Sequence, residues 1–382
     1  MTSRHIVTDR TVYLNAASTG PLPPRTLAAL QAFNLKRAAP ATITLAEQFG
    51  TLARSRELCA RLINASPAEI VLTPNTSTGL HIAARCLPVP MGKIILGYDA
   101  EFPANVYPWM SLERTRGIPY ERMPLRDGLP DHEALLERVA RGDVGIVALS
   151  WVSYLSGDRA DLARIGEVCR RHGTWLVVDA IQGVGAVQLD ITQCHVDVLA
   201  CGAQKWLCSP WGSGFAYIRR ELVDRLDPQT GGWLSVRGSE DFSRMLDYDL
   251  TYFDDARKFE VATLPYQDFL GMNAALDVFF ERGLASIEHH VRALATRLID
   301  GLEAIPGLRL MTPREPERRA GIVSCTAPRD RVDLIARQLT DANIVIAVRA
   351  GGVLRFAPHF YNTLAEIDRT IAVLEGCYHR TR

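Results

Sequence analysis

The sequence predicts an α/β fold, in which a large domain has a mostly parallel central sheet flanked by helices and a smaller C-terminal domain is α+β. Short, nearly continuous apolar runs alternate with amphipathic stretches over the first two thirds of the chain, as in sheets whose strands are buried on both faces. The chain has 382 residues, more than one small core usually holds. We therefore predict a large domain at 22–260 and a small domain built from 1–21 and 261–382.

The composition argues against several classes of partner. Lys plus Arg and Asp plus Glu each number 43, so no excess charge points to nucleic acid or to an anionic membrane. The first ten residues, MTSRHIVTDR, lack an apolar signal core, and no apolar run approaches the roughly 20 residues that span a bilayer. The eight cysteines form no CxxC pair and no disulfide framework. We expect a small neutral or zwitterionic partner and a reducing, cytoplasmic location.

The order of apolar runs and helical periodicities places the elements along the chain. In the large domain, strands are predicted at 70–73, 93–97, 144–150, 175–178, 196–199 and 215–218. Helices are predicted at 25–37, at 45–63, from 75 onwards and at 161–171. The C-terminal part is predicted to contain helices at 266–282, 287–305 and 366–374 and strands at 321–325 and 344–348. The helix at 266–282 would link the two domains.

Lys205 is the first candidate catalytic residue. It leaves a strand predicted to be buried on both faces and is framed by Trp206 and Trp211. Desolvation in such a place lowers the pKa of a lysine and makes its amine nucleophilic, which suggests a Schiff base. A surface lysine in an ordinary loop is the alternative, and the residues upstream argue against it.

A phosphate-binding turn is predicted at the start of the helix that follows the strand at 70–73. Asn75, Thr76 and Ser77 stand there, where free backbone N–H groups, hydroxyls and the positive end of the helix dipole together hold a phosphate. Helix capping is the competing interpretation, because Ser and Thr begin many helices.

Further candidates follow other strand ends, where parallel α/β sheets bind their ligands. Asp179 is placed to pair with a protonated pyridine nitrogen, and Gln182 to donate to a phenolate oxygen on the same ring. Phe102 is placed to cover that ring. Together with Lys205 and the phosphate turn, these are the groups that pyridoxal phosphate (PLP) requires.

Two other kinds of site are not supported. The segment QGVGAVQ at 182–188 has Gly183 and Gly185 but Gln188 at the third glycine position of a dinucleotide fingerprint, and no helical pattern follows. The adjacent pair His289 and His290 lies on a predicted helix, where neighbours point to different faces. We predict neither a nicotinamide site nor a metal site.

On these motifs the sequence resembles the class V aminotransferase family, PLP-dependent enzymes of fold type I that include cysteine desulfurases, isopenicillin N epimerase-like proteins and kynureninase. The resemblance covers nearly the whole chain. The matching segments, in order, are YLNAASTGPLP, NTSTGLH, EFPANVYPW, VVDAIQ, GAQKWLCSPWGSGF, RKFEVATLPY and LRFAPHFYNT.

The resemblance implies a role for each matching residue. Lys205 would form the internal aldimine and act as acid and base, and Arg355 would bind the substrate α-carboxylate as a bidentate fork. Thr263 would reach the phosphate of the partner subunit in a homodimer with shared active sites. The remaining assignments are Asp179 and Gln182 to the ring, Thr76 and Ser77 to the phosphate, Phe102 to ring stacking, and Asn15 and Tyr154 to the substrate.

Several positions depart from the family pattern. Gln204 replaces a common histidine, and Gly202 replaces the serine of desulfurases. Tyr154 stands where desulfurases carry Asn, and Ala262 replaces a glycine. No cysteine lies between 325 and 377, the interval that carries the persulfide-forming thiol of desulfurases. Sulfur transfer by that mechanism is therefore not expected.

The resemblance predicts an enzyme that acts on a small α-amino acid through an external aldimine and Cα deprotonation. We place transamination first, with a β-eliminating C–S lyase or an amino-acid epimerase as alternatives. A non-catalytic PLP-binding module is a further alternative, against which Lys205 and Asp179 both count. The sequence leaves the substrate open, and for Arg349 and His359 it slightly favours a structural role.

Overall fold

The computed structural model describes residues 11–379, so MTSRHIVTDR lies outside the described residues. The strands are β1 Val12–Tyr13, β2 Ile70–Leu72, β3 Ile94–Tyr98, β4 Tyr120–Met123, β5 Val144–Ser150, β6 Trp175–Asp179, β7 Val198–Gly202, β8 Gly214–Ile218, β9 Arg309–Leu310, β10 Val323–Thr326, β11 Ile344–Val345, β12 Ala347–Arg349 and β13 Val353–Phe356. The helices are α1 Pro24–Arg37, α2 Leu45–Ile63, α3 Thr76–Cys86, α4 Tyr107–Arg116, α5 His132–Ala140, α6 Leu162–Arg171, α7 Arg220–Arg225, α8 Tyr266–Arg282, α9 Leu284–Glu303, α10 Arg329–Asp341 and α11 Leu364–His379.

A seven-stranded sheet forms the centre of the molecule, in the order β2-β8-β7-β6-β5-β3-β4. The pairs β6–β7, β5–β6, β3–β5 and β3–β4 are parallel, whereas β8 runs antiparallel to both of its neighbours. Alternate side chains of each strand enter different cores: Ile70 and Leu72 pack in one cluster and Val71 in another. Both faces of the sheet are therefore covered, which explains why its strands read as continuous apolar runs.

The C-terminal part has its own four-stranded sheet, in the order β12-β13-β10-β9. A separate apolar cluster packs there and includes Val12 and Leu14 from the start of the described chain. β1 pairs in parallel with β11, so the N-terminal segment lies against the C-terminal part. This packing agrees with grouping the N-terminal segment with the C-terminal domain, while the boundaries at 21 and 260 stay a prediction.

Helix ends follow local chemistry. The Thr44 side chain accepts a hydrogen bond from Glu47 N at the start of α2. Thr363 and Glu366 form the reciprocal hydrogen bonds of the predicted capping box, at 3.2 and 2.8 Å. The predicted helices at 45–63 and 266–282 and the strand at 144–150 are confirmed to the residue.

Other predictions need correction. The predicted strand at 344–348 is divided between β11 and β12, which belong to different sheets. β4 was missed because its burial is partial and its sequence, YERM, is polar. Along the part of the chain that the structure describes, no helix combines the length and the apolar character needed to cross a bilayer.

Candidate active site

The candidate site lies at the carboxyl ends of the central parallel strands. Asp179 is the last residue of β6 and is paired in register with Ser150, the last residue of β5. The neighbouring strand β7 ends at Gly202, and Lys205 follows in the turn toward β8. The topology thus brings the predicted carboxylate and the predicted amine to neighbouring strand ends, as ligand sites in α/β sheets require.

The turn that carries Lys205 is held tightly by the N-terminal loop. Cys208 N donates to Lys205 O at 3.0 Å, and Gly20 N donates to Gln204 O at 2.9 Å. A Cβ atom on Gly20 would lie only 2.1 Å from Lys205 O. Glycine is therefore required at position 20, because the two backbones touch there.

The amine of Lys205 is adapted for reaction as a neutral base. Desolvation lowers its pKa to about 8; the charges of Arg355 and Arg349 act in the same direction, while Asp179 opposes them. The Nζ atom lies 5.3 Å from the centroid of the Phe102 ring. Burial therefore increases the fraction of this amine that is unprotonated near neutral pH, compared with an exposed lysine.

Asp179 is buried and carries the opposite perturbation. Burial raises its pKa to about 6, against the effects of a hydrogen bond from Ile181 N and of the Lys205 charge. That hydrogen bond reaches Oδ1 at 3.0 Å. A carboxylate in this position is poorly solvated and gains from a cationic partner, such as a protonated ring nitrogen.

Gln182 is held by partners on both ends of its amide. Its Nε2 donates to Ala17 O at 3.1 Å, and its Oε1 accepts from Trp206 Nε1 at 2.8 Å. His359 Nε2 lies 2.7 Å from Trp206 O. His359 thus supports the Trp206 backbone from the protein interior, in line with the structural role that the sequence slightly favoured.

Thr76 lies under the end of β7, at the first position of α3. Its Oγ1 accepts a hydrogen bond from Gly202 N at 2.9 Å. A Cβ atom on Gly202 would lie 2.5 Å from Gln204 Oε1 and 3.2 Å from Thr76 Oγ1. The glycine at 202 therefore leaves room for the Gln204 side chain in this conformation.

Phe102, Tyr154 and Arg355 form one connected group. The rings of Phe102 and Tyr154 meet edge to face, with centroids 5.5 Å apart. The NH1 group of Arg355 donates to Tyr154 O at 2.9 Å. Arg355 is almost fully buried, and burial together with the nearby charge of Arg349 lowers its pKa to about 10.

The other predicted residues take different places. Asn15 lies in the N-terminal loop, bridged to Ala357, and its Oδ1 is buried without a partner among the described residues. Ser77 lines a separate cavity of about 360 Å³. Thr263 is exposed and lines a cavity of about 520 Å³ with Phe33 and Trp233.

Glu101 is a residue at this site that the sequence reasoning missed. Its carboxylate accepts hydrogen bonds from the backbone N–H of Ser150, at 2.7 Å, and from the Ser150 hydroxyl. Burial raises its pKa to about 7, and these hydrogen bonds oppose the shift. The only signal in the sequence was an acidic residue directly before Phe102. Its partner, Ser150, is far away along the chain.

The volume of the cavities does not identify the candidate active site. A cavity of about 860 Å³ lies elsewhere, lined among others by Arg126, Trp151, Arg159 and Arg318. Within residues 11–379, no group of three or more His, Cys, Asp or Glu side chains is arranged to hold a metal ion. We therefore identify the site by its chemistry, namely a desolvated amine and a buried carboxylate whose charges influence each other's pKa.

Most of the chain matches a known family. A family model described as aminotransferase class-V matches residues 12–369. The chain belongs to the aminotransferase class-V family.

Relatives of this class-V chain carry different names. The "uncharacterized aminotransferase YcbU" of Bacillus subtilis (strain 168) is 30% identical, over 83% of this chain and 81% of its own length. A "probable cysteine desulfurase" of Methanothermobacter thermautotrophicus is 28% identical, with coverages of 95% and 94%. The isopenicillin N epimerase of Streptomyces clavuligerus is also 28% identical, with coverages of 98% and 96%.

Solved structures of similar chains superpose closely. A lysine-to-alanine mutant of C-DES with glycine covalently linked to the PLP cofactor has a TM-score of 0.88 at 25% identity, covering 97% of this chain and 98% of that one. The cystine C–S lyase C-DES with its product cysteine persulfide has a TM-score of 0.86 at 26% identity, with coverages of 96% and 98%. The predicted fold class is confirmed.

Proposed function

We propose that this chain is a PLP-dependent enzyme that acts on a small α-amino acid at its Cα, with transamination as the reaction. The observation that carries the proposal is the pairing of Lys205, whose amine has a lowered pKa, with Asp179, a buried carboxylate at the neighbouring strand end. The cofactor is pyridoxal 5′-phosphate.

The residues present fit this cofactor by their chemistry. Lys205 supplies a desolvated amine, Asp179 a buried acceptor for a ring N–H, and Phe102 an aromatic face 5.3 Å from the amine. Thr76 and the N-terminus of α3 supply a hydroxyl and free N–H groups for a phosphate. The Ser77 and Gln182 side chains are assigned to the phosphate and to the ring oxygen by the same proposal.

When bound, PLP withdraws electrons from the substrate and makes its Cα proton acidic. In the proposal, Lys205 takes up that proton and returns it, a role that suits a pKa of about 8 near neutral pH. Asp179 keeps the ring nitrogen protonated. Trp206 fixes Gln182, whose amide is thereby held in one orientation.

In the proposal, four residues around Lys205 bind and orient the substrate. Arg355 binds the α-carboxylate, supported by its contact with Tyr154 O. Phe102 and Tyr154 form an apolar wall beside Lys205. The unpartnered Oδ1 of Asn15 supplies a hydrogen-bond acceptor. Substrate bound in this way directs its Cα–H toward the amine.

Two other reactions remain as alternatives. The C–S lyase C-DES and the isopenicillin N epimerase are similar to this chain over most of its length, which supports β-elimination or epimerisation. A PLP-binding module without catalysis is the alternative from another class, and the perturbed amine of Lys205 argues against it.

The cysteines support an enzyme that lacks the desulfurase thiol. Burial raises the pKa of the thiols nearest the site, Cys201 and Cys208, so they are held protonated and are poor nucleophiles. No cysteine follows Cys325 before Cys377. All eight cysteines are free, which supports the proposed cytoplasmic location.

We also propose a homodimer with shared active sites. The segment that leads to Thr263 exposes large apolar side chains, among them Leu246, Tyr248 and Leu250. Such a surface is typical of an interface. Thr263, which follows this segment and is exposed, would contact the phosphate bound by the partner subunit.

The proposal is tested with a panel of L-amino acids incubated with the PLP-loaded protein, with and without a keto acid. Transamination predicts a new keto acid that exceeds one equivalent per active site only when the acceptor keto acid is present to take up the amino group. Ammonia with sulfide would instead identify C–S cleavage, and the D-isomer would identify epimerisation. PLP binding without any turnover would support the non-catalytic module.

A further inference from the structure

Arg349 and Arg355 converge on one hydroxyl group. The NH2 groups of both side chains donate to Ser18 Oγ, each at 2.9 Å. The antiparallel register places Arg349 opposite Val353 and Ala347 opposite Arg355. Because alternate residues of a strand share a face, the two arginines project from the same face of the C-terminal sheet. The backbone of the two paired strands therefore places both arginines on one side of the sheet, and their side chains then meet at Ser18.

Within residues 11–379 the pair has no compensating anion. No carboxylate there forms an ion pair with either guanidinium group, whereas Arg318 is paired with Asp158. The Nε atoms of Arg349 and Arg355 are both buried without a hydrogen-bond partner. Two unpaired cations beside Lys205 carry a high desolvation cost, which an anionic ligand relieves.

One carboxylate is enough for Arg355. A guanidinium group can bind a carboxylate along one planar edge with two parallel hydrogen bonds. Arg355 donates one hydrogen bond from NH1 to Tyr154 O and one from NH2 to Ser18 Oγ. Its Nε has no partner and remains available as a donor to a ligand. The α-carboxylate assigned to Arg355 therefore leaves the charge and the unpartnered Nε of Arg349 without an acceptor.

Ser18 adds a third donor at the same place. Its oxygen accepts from both arginines, so both lone pairs are used and its O–H group remains available as a donor. Arg349 is half-buried whereas Arg355 is almost fully buried. The deeper cation suits the constant part of an amino acid, and the shallower one suits the variable part.

We propose that the amino-acid substrate carries a second carboxylate at the end of its side chain, which Arg349 binds together with the Ser18 hydroxyl. This inference rests on the proposed function, because it assumes that Arg355 receives the α-carboxylate. The substrate class is then an acidic α-amino acid or its keto acid. Arg349 is a specificity-determining residue, and its contact with the substrate is made away from Cα.

The test compares matched pairs of ligands on the PLP-loaded protein without a keto acid, using calorimetry and the change in cofactor absorbance. L-Aspartate is paired with L-asparagine, and L-glutamate with L-glutamine, so that each pair differs in one side-chain charge. The wild type is expected to bind the acid of at least one pair about tenfold or more tightly than the amide. Arg349→Gln should bring this ratio close to one and leave the dissociation constant of the amide unchanged within about twofold.

The control is Arg297→Gln, which removes an equal charge from an exposed ion pair with Asp368 and should leave the ratio of acid to amide binding unchanged.

Equal binding of acid and amide by the wild type would overturn the inference. An Arg349→Gln variant that binds both ligands more weakly to the same extent would also overturn it, because both arginines would then share one α-carboxylate. If Arg349→Gln fails to fold, the wild-type ratio still decides. If amino acids bind without preference for the acid over the amide, this inference alone is refuted. If the protein binds PLP but no amino acid, the proposed function is refuted as well.

Discussion

The indole Nε1 of Trp206 donates a hydrogen bond to Oε1 of Gln182 at 2.8 Å, and both side chains are buried. Gln182 Nε2 is engaged by Ala17 O. The amide is thereby held in one orientation, with its remaining N–H available to a ring oxygen. This contact joins the lysine turn to the loop after β6.

Trp206→Phe should destabilise the protein and weaken PLP binding. The substitution leaves Gln182 Oε1 buried without its donor, a loss that costs about 1–3 kcal/mol. Thermal unfolding of the apoprotein and a PLP titration measure the two effects. Trp211→Phe is the matched control, because Trp211 is 70% exposed and should change neither. Unaltered PLP affinity in Trp206→Phe would show that Gln182 does not contact the cofactor.

Lys205→Ala should abolish covalent attachment of the cofactor. Borohydride reduction of the loaded wild type, followed by proteolysis and mass spectrometry, should place the label on the peptide that contains Lys205. Lys93→Ala serves as the control, since Lys93 precedes β3 and lies outside the site. A label that persists in Lys205→Ala would assign the attachment to another residue.

The rate of cofactor capture by the apoprotein should rise with pH around 8. The neutral amine is the reactive form, and burial lowers the pKa of Lys205 to about 8. Arg355 also lowers this pKa, so Arg355→Gln should move the midpoint of the rate profile to higher pH. Stopped-flow absorbance measures both profiles. A rate that keeps climbing to pH 10 in the wild type would contradict the desolvated amine.

Asp179→Asn should stabilise the apoprotein while impairing the loaded enzyme. The folded-state pKa of Asp179 is raised from 3.8 to about 6. Folding therefore carries a penalty that is fully present above pH 6 and vanishes as the pH falls below 3.8, with an upper bound of about 3 kcal/mol.

Asparagine removes this charge and keeps the acceptor for Ile181 N. At pH 8 the apoprotein variant should melt at an equal or higher temperature than the wild type, and the loaded variant should exchange the substrate Cα proton more slowly in deuterated buffer. Equal exchange rates would remove Asp179 from the proposed mechanism.

Leu246→Glu with Leu250→Glu should shift the protein toward monomers and weaken PLP binding. Both side chains are exposed, so the substitutions spare the core of one subunit. Light scattering after size-exclusion chromatography measures the mass, and Met91→Glu, at another exposed apolar position, is the control. A wild type that is monomeric yet binds PLP tightly would refute the shared site.

The sequence predicted the central strands well because they are buried on both faces. Val144–Ser150 and Trp175–Asp179 are continuous apolar runs, and a strand of this kind is recognisable locally. The edge strand Tyr120–Met123 is polar and half-exposed, so no local pattern marked it.

The site was predictable to the extent that its residues follow strand ends. Asp179 and Lys205 were found from their places in the sequence. Glu101 was missed, and for Arg349 the sequence slightly favoured a structural role, since their partners Ser150 and Ser18 are distant along the chain. Such contacts depend on the packed fold, and no periodicity in one sequence reveals them.

The loop around Gly20 depends on parts of the chain that are made much later. Asn15 bridges Ala357, Ser18 accepts from Arg355, and Gly20 packs on the Lys205 turn. Synthesis proceeds from the N-terminus, so this first segment cannot take its final place until β13 has been made. Chains truncated before residue 355 should therefore contain the seven-stranded sheet without a closed amino-acid pocket, and the pocket of one subunit should close only after its C-terminal part has folded.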